Sequence, residues 1–325
     1  MATIRDVAEE ANVSVATVSR YLNNKGYVGL DTKRKLNLAI QKLNYVPNEI
    51  ARSLNKQASK IIGLIIPDLS NPYFPVIIRG AEMCAKEHGY MLILGNTEGQ
   101  ISTGAQFINF FQQYNISGLI KLDGDLVDIP KHIYTVAIDR IQENDCFAVV
   151  TDDYCGGQLA ADAIINTQYN KVLVMSGPSH LKVAQERLSG IKMVFEHHDV
   201  DYQIYETLSY QNEFAEETAQ KVLAKFPDVD TIIASNDIYA LALIKEAQIR
   251  GYNVPKDIQV MGYDGIVFGE YSHPALTTIH QPAFDIGYQG VKLLIRRLNQ
   301  DDTLSSHEIL KLKPNILERH SLRRF

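Results

Sequence analysis

Apolar residues recur at helical spacing three times in the first 45 positions. Ile4, Val7, Ala8 and Ala11 mark one helix. Val18 and Leu22 give the inner face of a second over residues 15–23, and Leu36, Ile40 and Leu43 that of a third over about 31–43. Thr3 stands where an N-cap belongs, with Asp6 three residues on, near the positive end of the helix dipole. Asn12-Val13-Ser14 interrupts the pattern, and Ser14 caps the second helix. Three short helices with a tight turn between the first two make a helix-turn-helix unit.

After Lys60 the period changes. Short apolar runs at 61–66, 90–94, 118–121, 134–138, 172–175, 203–206, 231–234 and 258–261 read as strands, separated by amphipathic stretches such as 75–88, 213–225 and 236–250. Strands that are apolar throughout and alternate with helices predict parallel sheets covered on both faces. Residues 58–325 are more than one sheet ordinarily holds, so two α/β lobes are expected.

The composition of the 325 residues, 46% hydrophobic and 22% charged, is that of a globular protein. No run of about 18 apolar residues is present to span a bilayer, and the charged start MATIRDVAEEA is unlike a secretory leader. Cys84, Cys146 and Cys155 are too scattered for a zinc knuckle or a disulfide framework; they read as inert packing groups in a reducing cytoplasm. Charge is unevenly placed. Residues 1–60 hold ten Lys/Arg against five acids, a net +5, which leaves −11 on residues 61–325 within a total of −6. A small basic head on a large acidic body suggests that the head meets a polyanion.

On the second helix, Val15, Ala16, Thr17, Ser19 and Arg20 turn away from the core, and the hydroxyls and guanidinium among them can bond phosphates or a guanine edge. Val15 and Ala16, at the helix start, are placed to pack on thymine methyls. The segment IRDVAEEANVSVATVSRYLNN, followed by LNYVPNEIARSL, closely resembles the DNA-binding head of the LacI/GalR family of bacterial repressors. The resemblance implies a helix-turn-helix domain over 1–46 and a hinge helix over 47–57 that forms on operator DNA, with Pro47 at its start. It implies that Leu54 of each subunit wedges into the central base step from the minor groove, where Ala51 allows close approach. The DNA-contacting set it implies is Thr3, Ser14, Val15, Ala16, Thr17, Ser19, Arg20, Asn23, Asn48, Ala51 and Leu54.

In the body, ligands of parallel α/β sheets bind beyond the carboxyl ends of strands. The residues there are Asp68, Asn71-Pro72-Tyr73-Phe74, Asp139-Arg140, Asn236-Asp237 and Asp264, with Arg187 on a following helix and Gln281 just past an apolar run. Carboxylates, amides and arginine suit sugar hydroxyls, which both donate and accept, and aromatics suit the ring faces. Asp152-Asp153 and Glu216-Glu217 read as solvated pairs, and His180 and His273 as surface or core histidines.

The body is similar to the periplasmic sugar-binding fold that LacI/GalR repressors carry. The ligand set Asn71, Tyr73, Phe74, Asp139, Arg140, Arg187, Tyr210, Asn236, Asp264 and Gln281 is most similar to that of ribose operon repressors; Tyr73 stands where a Phe is usual. The fold so implied is an all-α head plus two doubly wound lobes, about 58–155 with 284–312 and about 156–283 with 313–325. The implied function is a cytoplasmic repressor of a sugar-utilisation operon. It would bind pseudo-palindromic double-stranded operator DNA as a homodimer and be released by a monosaccharide, D-ribose. The alternative is a family member answering to another sugar or to a phosphorylated carrier protein as corepressor. No nucleophile elbow, phosphate loop or metal-ligand motif accompanies these residues, so neither catalysis, a cofactor, a metal nor a membrane is expected.

Overall fold

The computed structural model describes residues 2–22, 26–45, 59–122, 129–301 and 303–324. The expected hinge helix, with Asn48, Ala51 and Leu54, lies outside them, as does Asn23. The chain divides into two compact units, residues 1–59 and 60–325.

In the first unit α1 spans Ile4–Glu10, α2 Val15–Leu22 and α3 Leu30–Lys42. Thr3 and Asp6 form a reciprocal capping box. The Thr3 amide donates to Asp6 Oδ2 at 2.7 Å and the Asp6 amide to Thr3 Oγ1 at 3.3 Å, which satisfies donors that the first helical turn cannot. Asn12 takes a left-handed φ of 53°, a conformation asparagine tolerates, and so folds α2 tightly back on α1. Val7, Ala8, Ala11, Val18, Val28, Leu36 and Ala39 form the buried core, with Leu22, Ile40 and Leu43 packed against it.

The second unit holds two six-stranded sheets. One runs β11-β5-β4-β3-β1-β2 and the other β12-β10-β9-β8-β6-β7. The strands are β1 Ile61–Ile66, β2 Met91–Asn96, β3 Gly118–Lys121, β4 Tyr134–Ile138, β5 Phe147–Thr151, β6 Val172–Ser176, β7 Tyr202–Glu206, β8 Thr231–Ile233, β9 Gln259–Asp264, β10 Thr277–His280, β11 Glu308–Leu312 and β12 Asn315–Leu317. All pairings are parallel except β10 with β12. Each sheet thus forms the centre of a two-faced α/β lobe. The chain crosses between lobes three times: after β5, after β10, and between β11 and β12. Ile62, Leu64, Ile120, Val136 and Val149 of the first sheet pack on the helices Tyr73–Glu87 and Ala283–Leu298.

Candidate functional site

In the head, Ser14, Val15, Ala16 and Arg20 are exposed, Thr17 and Ser19 are half-buried, and Val18 is buried. The Thr17 amide donates to Ser14 Oγ at 3.2 Å, and the two hydroxyls lie 2.9 Å apart. The start of α2 therefore presents hydroxyls and small apolar groups to solvent, and the guanidinium of Arg20 is exposed in its last turn. Thr3, also a candidate, spends its Oγ1 on the capping box.

In the body, the two sets of strand ends face each other across a cleft. Asn71, Tyr73, Phe74, Asp139, Arg140, Arg187, Tyr210, Asn236, Asp264 and Gln281, ten residues drawn from both lobes, line one cavity together with Val183. Asp139 and Asp264 follow β4 and end β9 with φ of 63° and 116°, so the backbone turns sharply to aim each carboxylate. Tyr73 departs from simple ring stacking: its hydroxyl donates to Asp139 Oδ1 at 2.8 Å, with Gln281 Oε1 at 3.3 Å as the second acceptor in reach. Gln281 Nε2 in turn donates to Asp264 Oδ1 at 2.7 Å. This chain of polar contacts crosses the cleft floor from one lobe to the other. Asn236 does two things at once, since its Oδ1 caps the following helix through the Tyr239 amide at 2.9 Å while its Nδ2 stays buried and unpartnered. The buried Tyr210 hydroxyl is likewise unpartnered. Gly177 makes room for it, because a methyl there would overlap that hydroxyl.

Burial governs the electrostatics. It pushes the Asp264 carboxyl up to about 7, against the pull of Arg187 and of the Gln281 hydrogen bond, and Asp139 and Asp153 add to the rise. It also raises Tyr210 to about 12, so its phenol remains a hydrogen-bond donor at neutral pH. Arg140 lies 5.5 Å from the Phe74 ring and 5.9 Å from the Tyr210 ring, so one cation is flanked by both aromatics. The cleft widens outward into a mouth lined by Asp68, Glu98, His180, Ser209 and Gln211 among others. At its rim Asn212 Nδ2 donates to the Ser70 carbonyl at 2.7 Å, a direct bond between lobes.

Three features escaped the sequence reading. Asp153 is not a solvated acid: it is buried and its Oδ1 accepts from Arg187 Nε at 2.6 Å, whereas its neighbour Asp152 caps the helix Asp153–Ile165. Lys121, at the end of β3, is buried in an ion pair with Asp145 at 2.8 Å, and Asp145 also accepts from the Gln142 amide, which braces the loop carrying Asp139 and Arg140. Cys146 is exposed rather than packed, while Cys84 is buried. Consecutive acids and a strand-end lysine carry no local signal of burial; only partners distant in sequence reveal it. His180 and His273 are exposed, and Glu216 and Glu217 pair with Lys245 and Lys221 in solvent. Among the described residues no cluster of three His, Cys, Asp or Glu side chains could hold a metal ion, and no helix is long and apolar enough to cross a membrane.

A small helix-turn-helix head and a two-lobed α/β body with a polar cleft define a ligand-responsive DNA-binding regulator. Residues 3–48 match the family model for bacterial regulatory proteins of the lacI family, and residues 161–322 that for the periplasmic binding protein-like domain. The ribose operon repressor of Bacillus subtilis is 43% identical over 91% of this chain and 91% of its own length, and that of Lactococcus lactis 36% over 99% and 98%. The chain belongs to the lacI family of bacterial regulatory proteins. The lac repressor dimer bound to operator and an anti-inducer superposes with a TM-score of 0.87 at 20% identity over 99% of each chain, which shows the shared fold. A LacI family regulator from Enterococcus faecalis with bound ribose does so with a TM-score of 0.70 at 28% identity, over 82% of this chain and 99% of that one.

Proposed function

We propose that this repressor reads a pseudo-palindromic operator as a homodimer in the cytoplasm and releases it when D-ribose fills the cleft. The observation that carries the reading is the donor and acceptor inventory of the cavity. Tyr210 Oη and Asn236 Nδ2 are buried without partners, two arginines stand beside two carboxylates, and Phe74 and Tyr210 supply ring faces. A small polyhydroxylated ring satisfies such a set, and an analogue lacking one hydroxyl leaves a buried group unpaired, which costs on the order of 10⁴-fold in the best-built sites. The ribose operon repressors among the relatives and the ribose bound in the Enterococcus regulator support the choice of sugar.

In the head, Thr3, Ser14, Val15, Ala16, Thr17, Ser19, Arg20 and Asn23 form the major-groove and phosphate face, and Asn48, Ala51 and Leu54 the minor-groove element. Sugar draws the two lobes together and thereby separates the paired hinge segments of the dimer, which then leave the minor groove. Fluorescence polarisation with an operator from the gene's own upstream region, titrated with D-ribose, D-fructose and sucrose, tests the reading. Ribose alone should release the DNA, and Arg140→Ala should bind operator but ignore ribose. DNA binding that no ribose concentration alters would overturn the choice of sugar, and a normal ribose isotherm for Arg140→Ala would overturn the site.

A further inference from the structure

Asp153 is the first residue of its helix and sits at the first crossover from one lobe to the other. The Asp152 amide donates to the Leu312 carbonyl at 2.8 Å, so this crossover is tied to the one between β11 and β12. One residue on, the Asp153 carboxylate turns inward. Its Oδ1 accepts from Arg187 Nε at 2.6 Å and from the Tyr263 hydroxyl at 3.0 Å. The Arg187 guanidinium lies 3.8 Å from the Tyr263 ring centre, so a carboxylate holds its edge while an aromatic holds its face. The carboxylate engages Nε and not the two terminal nitrogens of Arg187, and the same arginine lines the cavity. The sequence makes room for this arrangement: a methyl on Gly156 would overlap the Tyr263 hydroxyl, and one on Gly157 the Arg187 carbonyl.

We propose that Asp153 is a positioning residue, which fixes Arg187 in the one orientation that serves an acceptor in the cleft and ties that orientation to the lobe crossover. It touches no sugar. An arginine with four rotatable side-chain bonds loses affinity for its ligand whenever it must first be ordered, and Asp153 orders it beforehand. Placed at the crossover, it also makes the reach of Arg187 depend on how the lobes are set.

The inference rests on the sugar-cleft reading, and the experiment separates the two. Calorimetric titration of the full chain with D-ribose compares wild type, Asp153→Asn, Arg187→Ala and the double variant. Asp153→Asn keeps the shape and an acceptor but removes the charge; it should weaken ribose on the order of 10–100-fold, the range for a hydrogen bond to a charged group. The double variant should bind no more weakly than Arg187→Ala alone, since Asp153 acts only through that arginine. Losses that multiply in the double variant, or wild-type affinity in Asp153→Asn, would overturn the role. Tyr263→Phe, which removes the second donor to Oδ1 and keeps the ring, should show a smaller loss in the same direction. An unchanged isotherm there, alongside an Asp153→Asn protein that fails to fold, also counts against it. Wild type that binds no ribose overturns the cleft reading itself, and the positioning role with it.

Discussion

Asp264 combines a φ of 116°, burial and a hydrogen bond from Gln281, and its carboxyl is pushed up to about 7 from an ordinary 3.8. The protonated form is therefore favoured in the fold. Its contribution to stability is complete below the unfolded value near 3.8 and is lost as pH rises through about 7. Melting temperatures of the unliganded protein should drop across that window. A sugar hydroxyl that donates to the carboxylate favours the charged form, so binding should expel a proton near pH 7 and affinity should rise with pH there. Calorimetry in two buffers of different ionisation enthalpy measures the proton count, and uptake instead of release would rule out donation to this carboxylate. Strand-end position together with family resemblance made the lining of the cleft legible. Asn71, Tyr73, Phe74, Asp139, Arg140, Arg187, Tyr210, Asn236, Asp264 and Gln281 were named from strand ends and from resemblance, and they line one cavity. Asp153, Lys121 and Asp145 were not, because each gains meaning only from a charge that folding brings beside it.

At the scale of elements, α1 depends on a two-residue device. Thr3→Ala removes one half of the capping box and should cost about 1 kcal/mol of head stability. Hydrogen exchange should then quicken over Ile4–Glu10 while the sheets of the body keep their protection, and uniform exchange across the chain would contradict the assignment. Secondary structure was readable wherever period and length were unambiguous. The runs at 61–66, 118–121 and 134–138 are strands β1, β3 and β4 residue for residue. β9 extends three residues beyond the expected run because Gly262, Tyr263 and Asp264 continue the ladder, with Asp264 already belonging to the site. β11 and β12 were missed: one is a half-exposed edge strand and the other only three residues long, so neither shows a continuous apolar signal. β5, as long as β4 and as apolar, was also missed, although its pattern gave the same signal.

For the whole molecule, sugar and operator are two ligands of one equilibrium, so their coupling must be reciprocal. If ribose weakens operator binding by some factor, saturating operator should weaken ribose binding by the same factor. Titrating ribose with and without operator duplex checks this, and unequal factors would mean that the two do not bind competing states of one protein. The order of strands has a consequence for synthesis. The head needs only the first 59 residues, but β11 closes the first sheet and β12 the second, and both reach the ribosome exit after all ten other strands. Until then β5 and β10 lie as open edges, in both lobes at once. A nascent chain can therefore possess a finished DNA reader long before it possesses anything able to answer a sugar, and a premature stop between the two would leave a head without its control.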